Sequence, residues 1–291
     1  MKACAYKKID AFTSGRSLGN PAACLFLGDG ETLSDAEMQF IATQHKGFVS
    51  EVVYCFESHE GITLYYYSSE CEVNFCGHGT IACMHSLVKQ SPRLLSQSAL
   101  TVITHKKGAL TVYNRILEED AVYIGAPEPV FIGTALTRKD AAQALGFAED
   151  RLDGHPLDVI DAGLKTLLVP VRSLAGEISV YPDEARLKVF CEQAGIDIVL
   201  IFCMQTQNAG FHAHTRVFAP RFGYLEDPAT GSGNCAFGHY MLKNGLWDGG
   251  AVSIEQGGDN RVFNTVKLQM NKGRLLFGGS ATLRIDGRYY L

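Results

Sequence analysis

The chain has 291 residues, 46% of them apolar, about twice the length of a common single domain and enough to bury two medium cores. Twenty-six Lys and Arg against 31 Asp and Glu leave a formal net charge of -5, which offers no electrostatic footprint for nucleic acid or an acidic membrane surface. Nine cysteines, odd in number and set mostly in apolar runs, read as free thiols of a reducing compartment; with no signal peptide and no apolar span of roughly 20 residues, a soluble cytoplasmic protein is expected.

Residues 3–12 and 20–27 read as strands around a Ser/Gly loop at 13–19. Ser34 can cap a helix, with Glu37 in the capping-box position and Met38, Ile41 and Ala42 on one apolar face before Gly47. Ser50-Glu51 then opens the apolar run Val52 to Phe56, and 61–67 is a second strand rich in β-formers. A helix is expected over 79–90, and strands over 99–104 and 108–115 flank a turn at Lys106-Lys107-Gly108. The acidic stretch Leu117 to Asp120 marks the expected boundary between a lobe of residues 1–117 and one of 118–291, the final strand crossing back to the first lobe.

Beyond it the order recurs, with a strand at 121–125, a helix from Thr137 to Leu145, a strand at 165–171, a helix near 183–193, strands at 197–204 and 211–218, a helix at 233–244 and several closing strands. Leu136-Thr137 leads one helix and Gly146-Phe147 closes it, as Leu33-Ser34 leads the first and Gly47-Phe48 closes it, so the 137–145 helix is expected to repeat the 34–47 helix. Two loops carry the strongest sign of duplication. Cys76-Gly77-His78-Gly79 and Thr230-Gly231-Ser232-Gly233 each precede an apolar helix 154 positions apart (230 − 76), and Ala82 and His85 match Ala236 and His239. Two similar lobes related by an approximate twofold are expected, with both helix starts facing a shared cleft.

Helix starts leave backbone N–H groups without intrahelical partners, and the aligned peptide dipoles favour negative charge there. Gly77, Gly79, Gly231 and Ser232 are therefore expected to hold an anion such as a carboxylate, Cys76 lying beside them. The bland alternative is that the glycines only shape helix entries. Glu51, at the mouth of an apolar strand, has the setting that raises a carboxyl pKa toward the range useful for proton transfer. His78 at a helix start is suited to act as neutral imidazole; Asp227 before Pro228 equally fits an Asx-turn anchor. Cys71, Cys76, His78, Cys83 and His85 invite a zinc reading, but no CxxC knuckle and no second cluster complete a four-ligand set. Gly77-His78-Gly79 also lacks the third glycine of a dinucleotide fingerprint. Neither a metal nor a cofactor is expected.

Asp10-Ala11-Phe12-Thr13, Gly19-Asn20-Pro21-Ala22-Ala23, Ser50-Glu51, Cys76-Gly77-His78-Gly79-Thr80 and Asp227-Pro228-Ala229-Thr230-Gly231-Ser232 occur in this order over nearly the whole chain. The pattern resembles the PhzF family of phenazine biosynthesis-like proteins. The resemblance implies an α+β, diaminopimelate epimerase-like fold of two pseudo-twofold lobes, each a curved mixed sheet around a central helix. It also implies a cofactor-independent isomerase that moves a proton on a small carboxylate-bearing metabolite, and a homodimer. Carried over by motif, Glu51, His78 and Asp227 are the catalytic positions, and Gly77, Gly231 and Ser232 hold the substrate carboxylate. A non-catalytic metabolite- or protein-binding relative is the alternative; an epimerase reading lacks a second base, because Thr230 stands where the epimerases' second thiol would be. The chain departs from the family with Gly79 where Pro is common and with no Gly-Arg-Pro-Ser pattern at 256–263.

Overall fold

A computed structural model of the chain describes residues 2–258 and 262–291; of the 256–263 segment, residues 259–261 lie outside that description. The chain divides into two compact units, Met1–Gly125 with Gly278–Leu291, and Ala126–Phe277. The division falls beyond the expected one at 117/118. The acidic residues there form a helical turn, Ile116–Glu119, whose first amide donates to Asn114 Oδ1 at 3.0 Å, and the strand that follows pairs with the strand before it.

The first unit consists of β1 (Ala3–Ala11), β2 (Asn20–Leu27), α1 (Asp35–Gln44), β3 (Glu51–Ser58), β4 (Gly61–Ser68), α2 (Gly77–Gln90), α3 (Pro92–Leu95), β5 (Ala99–Thr104), β6 (Gly108–Arg115), α4 (Ile116–Glu119) and β7 (Ala121–Gly125). β1 pairs antiparallel with β2, β2 parallel with β3, β3 antiparallel with β4, β4 parallel with β5, and β5 to β7 run antiparallel in turn. Helices bridge both parallel pairs, as parallel neighbours require a crossover. α1 is the amphipathic one, with its Ser34/Glu37 capping box in place and Met38, Ile41 and Ala42 packed on Leu25, Val52 and Tyr54. α2 is buried nearly all round, from Gly79 through Ser86 and at Val88, the signature of a helix enclosed by its sheet.

The second unit repeats this plan. It consists of β8 (Val130–Phe131), α5 (Arg138–Leu145), β9 (Asp158–Asp161), β10 (Lys165–Pro170), α6 (Leu174–Ile178), α7 (Glu184–Ala194), β11 (Ile198–Cys203), β12 (Ala213–Phe218), β13 (Glu226–Asp227), α8 (Gly231–Lys243), β14 (Val252–Gln256), β15 (Asn264–Asn271) and the start of β16 (Arg274–Gly279). β9 is antiparallel to β10, β10 parallel to β11, β11 antiparallel to β12, β12 parallel to β14 and β14 antiparallel to β15. This is the sequence of pairings of β1 to β6. α8, buried from Asn234 through Gly238 and at Tyr240 and Met241, occupies the place of α2.

The counterpart of α1 is α7, which bridges the parallel pair β10 and β11 and buries Leu187 and Cys191 one turn apart; the 138–145 helix precedes β9 and has no equivalent among the described residues of the first unit. The expectation that it repeats α1 rested on a capping box and a closing glycine. Both are present, as Thr137 with Asp140 and Gly146 in the left-handed region, but these devices end any helix and say nothing of its place in a sheet. β17 (Ala281–Tyr290) returns to the first unit and pairs antiparallel with β1 from Ala3 to Ala11.

Candidate active site

α2 and α8 begin two residues earlier than their expected starts, at Gly77 and Gly231, so the two Gly-X-Gly stretches form the first helical turns rather than loops in front of them. At α2 the cap is Cys76. Its sulfur accepts from Gly79 N–H at 3.3 Å, and Thr80 N–H bonds to Cys76 O at 3.0 Å. Two of the early amides are thus bonded within the turn, and the Gly79 N–H expected to meet an anion ends on the thiol. A Cβ on residue 79 would lie 2.7 Å from Val53 Cγ2 and 2.9 Å from Cys76 Sγ, which explains glycine at this place and ties it to the cysteine.

Glu51, the first residue of β3, reaches this helix start. Its Oε2 lies 3.8 Å from Cys76 Sγ and 3.4 Å from His78 Nε2, while His78 Nδ1 is 3.5 Å from the same sulfur. Burial pushes the Glu51 carboxyl up to about 7, against hydrogen bonds from Ser50 and Cys76 that favour its charge. Among the described residues no ion pair joins Glu51 to Lys or Arg, and its charged-pair neighbour is the His78 imidazole. Of the nearby thiols and imidazoles, Cys83 is buried beside Cys24 and Cys55, His85 turns to Asp120 at 3.1 Å, and Cys71 is exposed near Ser68.

The second unit builds a different arrangement at the matching turn. Thr230 caps α8 without a side-chain bond to it, and its hydroxyl donates instead to Asp227 Oδ2. Gln256, fully buried at the end of β14, holds the loop by four bonds. Its Oε1 accepts from Thr230 N–H at 2.9 Å and Asn234 Nδ2 at 2.7 Å, and its Nε2 donates to Asp227 O and Thr230 Oγ1, both at 3.0 Å. Asp227 and Thr230 are each 8% exposed. Ser232 lies half-buried on the first turn, and a Cβ on Gly231 would meet Phe277 Cε2 at 2.3 Å. Gln256 and Asn234 were not foreseen: an amide within a closing strand carries no local pattern, and only its complete burial among loop groups marks it.

Two cavities lie elsewhere. One of about 410 Å³ in the first unit is lined by Ile9, Thr13, His85, Lys89, Asp120 and Thr282, and one of about 500 Å³ in the second by Ile132, Leu136, Val159, Lys165 and Ile196 among others. Neither includes Glu51.

Two units that each wind a mixed sheet about a buried helix define the diaminopimelate epimerase-like class of α+β folds. Within that class the chain belongs to the PhzC-PhzF family of phenazine biosynthesis-like proteins, whose pattern matches residues 9–287. The uncharacterized isomerase YfhB of Bacillus subtilis is 30% identical over 293 residues, spanning 99% of this chain and 96% of its own length. The crystal structure of a PhzF family phenazine biosynthesis protein from Bacillus anthracis superposes with a TM-score of 0.86 at 25% identity, over the full length of both chains. A hydroxyproline epimerase from Agrobacterium vitis shares the fold at 13% identity, with a TM-score of 0.59 over 99% of this chain and 91% of its own.

Proposed function

We propose that the protein is an isomerase that moves a proton on a small carboxylate-bearing metabolite, with Glu51 as the group that takes and returns it. The observation that carries this reading is the placement of a mostly buried carboxyl, free of any Lys or Arg counter-ion among the described residues, within 3.4 Å of the His78 imidazole at a helix start. A carboxylate taken out of water is a stronger base, and neutral carboxyl and carboxylate lie closer in free energy there than at the surface. The positive end of the α2 dipole stabilises negative charge developing on a substrate, and His78 relays or orients the proton. Asp227, Gly231 and Ser232 are the second unit's candidates for substrate contact, Asp227 being positioned by Thr230 and Gln256. The naming of the Bacillus subtilis relative as an isomerase supports the same class of reaction.

A two-base epimerase is disfavoured because Thr230, the counterpart of Cys76, is a hydroxyl already bonded to Asp227. The binding-protein alternative expects Glu51 held away from the cleft or locked by an Arg or Lys partner, and among the described residues no ion pair joins it to either. The test is hydrogen exchange. Incubation in D2O with a panel of cyclic and β,γ-unsaturated carboxylic acids, followed by NMR, should label at least one compound at a carbon near its carboxylate. Glu51→Gln keeps the shape and should abolish the label; labelling retained in that variant removes Glu51 from the role.

A further inference from the structure

The trio at the start of α2 has a second chemical capacity. Glu51 Oε2, Cys76 Sγ and His78 Nε2 are three different donor types whose separations are 3.4 Å for oxygen to nitrogen, 3.8 Å for oxygen to sulfur and 3.9 Å for nitrogen to sulfur, and all three lie within 4.8 Å of one another. Zinc takes sulfur at about 2.3 Å, imidazole nitrogen at about 2.0–2.1 Å and carboxylate oxygen at about 2.0–2.2 Å in a tetrahedron. Those bond lengths put the edges between ligand atoms at roughly 3.4–3.6 Å. The observed triangle is wider by a few tenths of an ångström at most, but the sulfur lies nearer His78 Nδ1, at 3.5 Å, than Nε2, so binding through Nε2 requires the imidazole ring to turn about its side-chain bonds toward Cys76 and Glu51.

We propose that Glu51, Cys76 and His78 form a binding site for one divalent cation of the zinc class, with its fourth position open. A carboxylate, a thiolate and an imidazole select such a borderline-soft ion over Mg2+ or Ca2+, which take oxygen ligands. Cys76 is buried, while the Glu51 and His78 side chains are exposed at 23% and 13%, and it is from their side that water or a substrate carboxylate can supply the fourth ligand. Binding releases the thiol proton, and the carboxyl proton where present, to solvent; no electron moves. The set is invisible to local spacing because Glu51 stands 25 positions before Cys76 on another element. Where the isomerase reading holds, and the consequence for turnover rests on it, the cation occupies the oxygen that would take the substrate proton and therefore inhibits.

Co2+ titration of the chelator-treated, reduced protein tests the site without a substrate. The expected result is one equivalent bound with a thiolate-to-cobalt charge-transfer band, displaced by one equivalent of Zn2+. Cys76→Ser should abolish the band, and His78→Ala, which retains the thiol, should weaken Co2+ binding at least tenfold. Cys71→Ser, at an exposed thiol outside the trio, should leave both unchanged. A band that survives in Cys76→Ser, or no band at millimolar Co2+ in the unaltered protein, overturns the site. Unfolding curves of each variant separate loss of a ligand from loss of fold. Zn2+ should also suppress deuterium labelling of any responsive compound. A cobalt band with no labelling refutes the isomerase reading and leaves the cation site standing, whereas labelling without a band does the reverse.

Discussion

Cys76 does at the start of α2 what Ser or Asp does at most helices, accepting a bond from the amide three residues on. A structural duty of this kind accounts for a thiol beside Glu51 without giving it a proton to carry. Cys76→Ala should lower stability by about 0.5–2 kcal/mol, the usual range for a lost cap, read from urea unfolding. It should leave deuterium labelling within roughly tenfold of the unaltered protein, whereas deleting the base in Glu51→Gln costs on the order of a hundredfold to ten-thousandfold. A thousandfold loss on Cys76→Ala would make the thiol a participant. Gly79→Ala should cost at least as much as that cap loss, because its new methyl must displace both the Val53 methyl and the Cys76 sulfur.

At the scale of elements, the start of α8 is held from two sides, by the Gln256 amide and by the Phe277 ring packed on Gly231. Gly231→Ala is expected to destabilise by about 1–3 kcal/mol through overpacking, and Phe277→Leu in that background should recover part of the loss by vacating the ring's volume. If the double variant is simply the sum of two losses in urea unfolding, the contact is not what excludes a side chain at 231. Gln256→Ala strands the buried Thr230 N–H, at a cost of about 1–3 kcal/mol. α1, α2 and α8 were legible in the sequence because caps, glycines and apolar spacing act within a few residues. So were Glu51 and His78 as a carboxyl on an apolar strand and an imidazole on a helix start, though their mutual distance was not. The place of α7 in the sheet and the clasp by Gln256 depend on pairing between distant segments, for which a single chain of letters carries no local trace.

On the scale of the whole chain, the last segment, Gly278–Leu291, rejoins the first unit, and its attachment can be tested through one carboxylate. Asp120, in the left-handed region at φ 51°, accepts from Lys89 Nζ at 2.7 Å and Ser280 Oγ at 2.7 Å and faces His85 Nε2 at 3.1 Å. Burial works against its charge, but the bonds from Lys89 and Ser280, together with the nearby His85 and Lys89 charges, outweigh it and hold the carboxyl below the ordinary aspartate range. The folded protein therefore binds this proton less readily than the unfolded chain does. The stabilisation is complete above the unfolded value of about 3.9 and disappears as pH falls through the lower folded value. His85, whose pKa burial depresses despite Asp120, adds a second loss on acidification, beginning as pH drops below about 6.5, where the unfolded imidazole takes up its proton first. Asp120→Asn should accordingly lower the unfolding midpoint at pH 7, and the gap to the unaltered protein should close once the pH passes beneath the folded aspartate value. Ser280→Ala should reproduce a smaller part of the same pH dependence, because it removes one of the bonds that favour the charge. A gap for Asp120→Asn that stays constant from pH 7 into that acid range would mean the residue acts through its backbone turn, and the carboxylate would lose its part in fastening the returning strand to α2.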